Sequence, residues 1–121
     1  MRVSGFTLIE LVVTIAIIAI LAAVALPKFS NLSPNAQAAA TSAVAGALSS
    51  ANTSNYAARK VNATLGVAVT NCTSLASALQ SGALPTGYTI TALTVAVDAT
   101  VTCTLTGPSS TTATFSATGI S

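Results

Sequence analysis

Few side chains in this chain can do chemistry. The charged set is Arg2, Glu10, Lys28, Arg59, Lys60 and Asp98, there is no histidine, and the only cysteines are Cys72 and Cys103. Most metal and acid–base chemistry lacks its residues in such a set. Nucleophile–base pairs and phosphate loops are likewise missing, so the sequence predicts no enzyme, no cofactor and no metal site. Calcium usually asks for more than one carboxylate, and the only one after Glu10 is Asp98. The formal charge of +2, or +1 once Arg2 is removed, gives no electrostatic case for a nucleic-acid partner. Three features remain: a carboxylate inside an oily run, a cysteine pair, and a glycine at the edge of that run.

The element that positions Glu10 is the stretch from Phe6 to Leu26, FTLIELVVTIAIIAILAAVAL, in which Glu10 is the single charge. As a helix it spans about 31 Å, close to the hydrocarbon thickness of a bilayer. Its β-branched residues are poor helix formers in water. In lipid the backbone must pair internally, which favours helix regardless. Arg2 precedes the run and no basic residue follows before Lys28, which predicts a cytoplasmic N-terminus. An ordinary secretory signal is the alternative, with Ala23-Val24-Ala25 imitating its cleavage site. The glycine before the run and the carboxylate inside it suit that reading poorly. A carboxylate in a membrane helix costs about 2.5–3.5 kcal/mol, which makes Glu10 a functional candidate. It either finds an ionic partner or reaches back to the lipid interface.

Gly5-Phe6-Thr7-Leu8-Ile9-Glu10-Leu11, with the run continuing to Ala22-Ala23-Val24-Ala25-Leu26-Pro27, resembles the signature of type IV pilins and secretion pseudopilins. The resemblance covers residues 5–29. It implies cleavage by a prepilin peptidase between Gly5 and Phe6 and methylation of the new Phe6 amine. It also implies pairing of Glu10 with the N-terminal amine of a neighbouring subunit. Ala19 stands where many members carry a mid-membrane glycine. The stretches Pro27 to Ser33, Ala45-Gly46-Ala47-Leu48 and Asn55-Tyr56-Ala57-Ala58 look more specifically like the mannose-sensitive haemagglutinin type. Asn35 and Gln37 replace the usual charges of that region.

Beyond the membrane segment, Pro27 removes a helix hydrogen bond and predicts a kink. Ser33 before Pro34 reads as a helix N-cap, so the helix restarts or bends there. Ala36, Ala40, Val44, Ala47, Leu48 and Ala51 recur at helical spacing and predict a narrow buried face on a helix over 35–58. Arg59 and Lys60 suit its C-terminus, where cations are favoured, and read as solvated. Leu75, Leu79 and Gly82 predict a short helix from Thr73 to Ser81, capped by Gly82. Pro85-Thr86-Gly87 reads as a turn. Val101, Cys103 and Leu105 alternate with threonines, as do Ala113, Phe115 and Ala117, and predict two half-buried strands. Tyr88 to Val97 is a third, less regular run that changes phase near Leu93. Asp98-Ala99 and Gly107-Pro108-Ser109 read as hairpin turns. Exported cysteines can pair, and a Cys72–Cys103 bridge would staple a core too thin to stand easily alone; two buried free thiols are the alternative. Sequons begin at Asn31, Asn52, Asn62 and Asn71. The threonine content is read first as exposed strand chemistry rather than glycosylation.

The fold class is therefore α+β: a long N-terminal helix, membrane-spanning in its first half, packed by its second half on a small antiparallel sheet. Its expected organisation is a leader over 1–5, a transmembrane and assembly helix over 6–27, an amphipathic half over 28–60 and a head over 61–121. The expected function is a structural subunit of a type IV pilus, with a type II secretion pseudopilin as the alternative. The implied partners are further copies of the chain, the prepilin peptidase, the inner-membrane assembly machinery and the membrane itself. The implied location is the bacterial inner membrane, then the extracellular pilus.

Overall fold

The computed structural model describes residues 1, 4–30 and 32–121. The sequon at Asn31 lies outside them, as do Arg2 and the side chains of residues 27–30 and 32. The chain forms two compact units, Met1–Ser33 and Pro34–Ser121.

The first unit holds helix α1, Leu8–Ser30. None of the residues Leu8–Leu26 is buried, although the stretch is apolar throughout except for Glu10 and Thr14. The Thr14 hydroxyl donates to the Leu11 carbonyl at 2.8 Å, so the helix itself satisfies that polar group. The helix continues through Pro27 to Ser30.

Helix α2, Leu32–Val61, opens one residue before the expected restart at Ser33 and carries Arg59 and Lys60 in its last turn. From Pro34 onward it belongs to the second unit. Three strands complete the main frame: β1 (Thr89–Ile90), β2 (Thr100–Thr106) and β3 (Thr112–Thr118), antiparallel in the order β1-β2-β3. Cys103 faces Phe115 and Leu105 faces Ala113 across the β2–β3 ladder. The alternation read from the sequence sends Cys103, Leu105, Phe115 and Ala117 inward. They meet Ala45 and Leu48 of α2, and Val69, Leu75, Val95 and Ile120 from the connections.

The buried face of α2 differs from the expected one. Ala36, Ala40 and Ala47 are exposed, Val44 and Ala51 are half-buried, and only Leu48 is fully covered. The covered stripe runs Thr41, Ala45, Leu48, Asn52, Asn55. Three of these five are polar, and each meets a group on the sheet or a connection that needs a partner. Ser49 Oγ accepts from the Ser116 amide at 3.4 Å and Asn52 Oδ1 accepts from the Thr118 amide at 2.8 Å. Both amides belong to the edge strand β3, so α2 satisfies an edge that would otherwise stay open. Thr41 donates to the Gln37 carbonyl at 2.9 Å and lies 2.6 Å from the Thr111 hydroxyl. Asn55 accepts from the Val67 amide at 2.8 Å and donates to the Val67 carbonyl at 2.9 Å, pairing with it as a strand neighbour would. Gly66 sits beside it at φ 68°, where a Cβ would run into Asn55 Oδ1.

Other connections differ too. The expected helix over 73–81 is a 3-10 segment, Cys72–Ala78, whose N-cap Asn71 accepts from the Thr73 amide. It ends before Gly82, which instead closes a turn on the Leu79 carbonyl at 2.8 Å. The third run keeps only Thr89–Ile90 as strand. After the phase change at Leu93 the chain leaves β2 and bonds to the 69–72 segment, through Cys72 N to Leu93 O and Val95 N to Thr70 O. Asp98 and Ala99 turn the chain into β2 beside Gly119 rather than closing a hairpin. Gly107 to Thr111 does close the β2–β3 hairpin, with Gly107 N donating to Thr111 O at 2.7 Å.

Candidate assembly site

Gly5, Phe6 and Glu10 lie together at the start of α1, all exposed, with Phe6 two residues ahead of the helix. Helix N-termini leave amides without intrahelical partners. Thr7 and Glu10 supply such partners reciprocally. The Glu10 amide donates to Thr7 Oγ1 at 3.3 Å, while Glu10 Oε2 accepts from the Thr7 amide at 2.8 Å and from Thr7 Oγ1 at 2.7 Å. This is a capping box, the Ser/Thr-x-x-Glu arrangement of helix starts. The sequence carries it openly as Thr7-Leu8-Ile9-Glu10. Thr7 has no part in the reading of Glu10 as a lone membrane charge, yet it binds that carboxylate through both its amide and its hydroxyl. The carboxylate is therefore not an orphan in the single subunit. Oε2 is taken, and Oε1 makes no hydrogen bond among the described residues.

Phe6, Ile9, Glu10, Val13 and Thr14 line a shallow apolar groove along this helix face. The site has a carboxylate at one end and an oily track beyond it. Such a surface can take a cation attached to an apolar partner. Pro27 lies in α1, but its side chain lies outside the described residues, and with it the expected kink.

The two cysteines are brought together. Cys72 opens the 3-10 segment, Cys103 sits mid-strand in β2, and they form a disulfide with Cα atoms 5.9 Å apart. Both are buried at the centre of the head. At the other end of α2, the ion pair Lys60–Asp98 closes at 2.6 Å, and the Tyr56 hydroxyl donates to the same carboxylate oxygen at 2.8 Å. Lys60 also stands 5.2 Å from the Tyr56 ring centre. The bonds from Lys60 and then Tyr56 hold Asp98 below the usual carboxylate range, and Asp98 holds the Lys60 ammonium above the usual lysine range. Lys60, expected to be simply solvated, therefore ties the end of α2 to the entry of β2.

Residues 1–26 match the family described as the prokaryotic N-terminal methylation motif. Over 51 residues the chain is 51% identical to the type IV narrow pilus major component PilA5 of Thermus thermophilus. That stretch is 42% of this chain and 44% of the relative, so the chain spans less than half the length of the pilin it matches. No solved structure matches. A methylation motif at the start of a self-capped apolar helix with no buried residue, an α+β head in the second unit, and likeness to a pilus component over 51 residues make the chain similar to type IV pilins in its N-terminal part.

Proposed function

We propose that the chain is a structural filament subunit, made as a membrane-anchored precursor and assembled through α1. The observation that carries this is the capped and entirely uncovered apolar helix: its side chains need lipid before assembly and other copies of the helix afterwards. In this reading prepilin peptidase cuts between Gly5 and Phe6, and the Phe6 amine is methylated. The N-terminus starts in the cytoplasm and the head crosses to the outside, where its disulfide forms. The inner-membrane assembly machinery then extracts the helix into the filament. The liberated Phe6 amine of one subunit meets Glu10 Oε1 of its neighbour, while Oε2 stays with Thr7. Pairing and capping are then compatible, and the ionic contact sets the axial register that apolar packing alone leaves loose. The proline at 27 supplies a bend where the helix leaves the hydrocarbon.

A structural role, rather than an enzymatic one, belongs to the same reading. A type II secretion pseudopilin gains nothing from the pilus-named relative. The finer kinship with the mannose-sensitive haemagglutinin type rests on the sequence stretches alone.

The test is the partition of subunit between sheared surface filaments and membrane. Glu10→Val should insert, be processed and keep its disulfide, yet yield at least tenfold less filament. Glu10→Asp should fall between, since the charge remains with a shorter reach. Thr7→Val should reduce yield less than Glu10→Val, because it removes part of the cap and leaves the charge. Wild-type yield from Glu10→Val would refute the ionic register.

A further inference from the structure

We propose that Asn62 is an acceptor for N-linked glycosylation, taking a saccharide from a polyprenyl-diphosphate-linked donor. Asn62-Ala63-Thr64 has the Asn-x-Thr form with no proline at the middle position. Of the sequons in the described residues, this one combines exposure with a free amide nitrogen. Residues 61–66 are all exposed where the chain leaves α2. The backbone there is fixed by Asn62 N donating to Ala58 O and Leu65 N donating to Asn62 O, each at 3.0 Å.

The side chain is arranged for the chemistry. A carboxamide nitrogen is a poor nucleophile because its lone pair is delocalised into the carbonyl. Losing a proton from Nδ2 gives an imidate whose negative charge gathers on Oδ1. That oxygen already accepts from the Thr64 amide at 2.9 Å and from the Thr64 hydroxyl at 2.8 Å. Two fixed donors aimed where charge develops lower the cost of the imidate, by the logic of an oxyanion hole. Nδ2 makes no hydrogen bond among the described residues, and Asn62 is exposed. In the transfer, Nδ2 attacks the anomeric carbon of the donor. The C–N bond forms as the bond from that carbon to the phosphate oxygen breaks. The electron pair leaves with the prenyl diphosphate and the Nδ2 proton passes to a base of the transferase. No redox change is involved.

Asn52 and Asn71 are committed elsewhere. Asn52 is 5% exposed and bonds Thr118 through both ends of its amide. Asn71 is half-buried, caps the 3-10 segment, and also accepts from the Leu93 amide at 3.3 Å, next to the disulfide-bonded Cys72. A sugar at either would have to displace structure, whereas one at Asn62 displaces only water.

The inference rests on export of the head, as in the proposed function. Subunit is recovered from the organism's own cells, in the sheared and the membrane fractions separately, and the peptide opening at Val61 is mapped by mass. The expected result is a saccharide increment on Asn62 in exported subunit. It should vanish in Asn62→Gln and Thr64→Ala and persist in Thr64→Ser, which restores the hydroxyl. Disulfide formation in each variant reports folding independently. An unmodified Asn62 in subunit that carries the Cys72–Cys103 bridge overturns the proposal, as does an increment that survives Asn62→Gln. Because both fractions are mapped, the result at Asn62 stands even if no filament forms, and the absence of filaments counts against the filament reading instead.

Discussion

Opening the Cys72–Cys103 bridge should cost the head a large part of its stability. The bridge joins residues 31 apart in sequence and ties the 3-10 segment to the middle strand of the sheet. Closing a loop of that length restricts the unfolded chain by about 3.7 kcal/mol at 25 °C on the loop-entropy relation. The surrounding core has few large side chains: Leu48, Leu75, Leu105 and Val69 are the largest fully buried aliphatics. Small domains hold only about 5–15 kcal/mol in total, so the loss is a major fraction. At about 4–8 °C per kcal/mol for a domain of this size, the midpoint should fall by roughly 15–30 °C. The assay is thermal unfolding of the soluble head from Pro34 onward, followed by circular dichroism. Oxidised protein is compared with protein reduced under mild denaturant, and with a Cys72→Ala, Cys103→Ala pair. The pair should fall at least as far as the reduced protein, because it also loses packed sulfur atoms. A midpoint that moves by less than about 2 °C on full reduction would refute the reasoning, since the bridge would then constrain nothing the fold needs.

Asn55→Ala removes both bonds to Val67 and strands a half-buried amide and carbonyl, so the head should lose about 1–3 kcal/mol in denaturant titration. A loss below about 0.5 kcal/mol would show that water replaces the amide freely. The Lys60–Asp98 pair predicts a pH profile with two limbs. Asp98 is held low, so its contribution is complete above the ordinary carboxylate value of 3.8 and is lost as pH falls through the lower folded value. Lys60 is held high, so its contribution is complete below 10.5 and is lost as pH rises through the higher folded value. Both groups are exposed, so the effect should be small and should shrink with salt. Lys60→Ala should flatten the acid limb of the unfolding midpoint at low salt. An unchanged acid limb in that variant would assign it to another group.

What could be read in advance follows from how strongly each pattern excludes its alternatives. A long apolar run with one carboxylate admits few structures, so α1 was legible. The period-two alternation around Cys103 and Phe115 defined β2 and β3 with their inward faces. The face of α2 was not legible, because Thr41, Asn52 and Asn55 look like solvent-facing residues until their partners are known. Those partners are amides and carbonyls of β3 and of the segment after α2, which periodicity along the helix cannot reveal. The run from Tyr88 to Val97 failed for a related reason: its phase change at Leu93 is where the chain trades one partner segment for another. The Thr7–Glu10 box was a local motif in full view, hidden only because the membrane charge invited a longer-range explanation.

Whether this chain is a processed filament subunit is decided by shearing surface filaments from the cells that make it. The filaments are imaged by electron microscopy, and the N-terminal peptide of their subunit is then determined by mass. The expected result is thin filaments built of this chain, beginning at Phe6 with a methylated amine. A mature chain that begins after Ala25, released singly and absent from any filament, would contradict it.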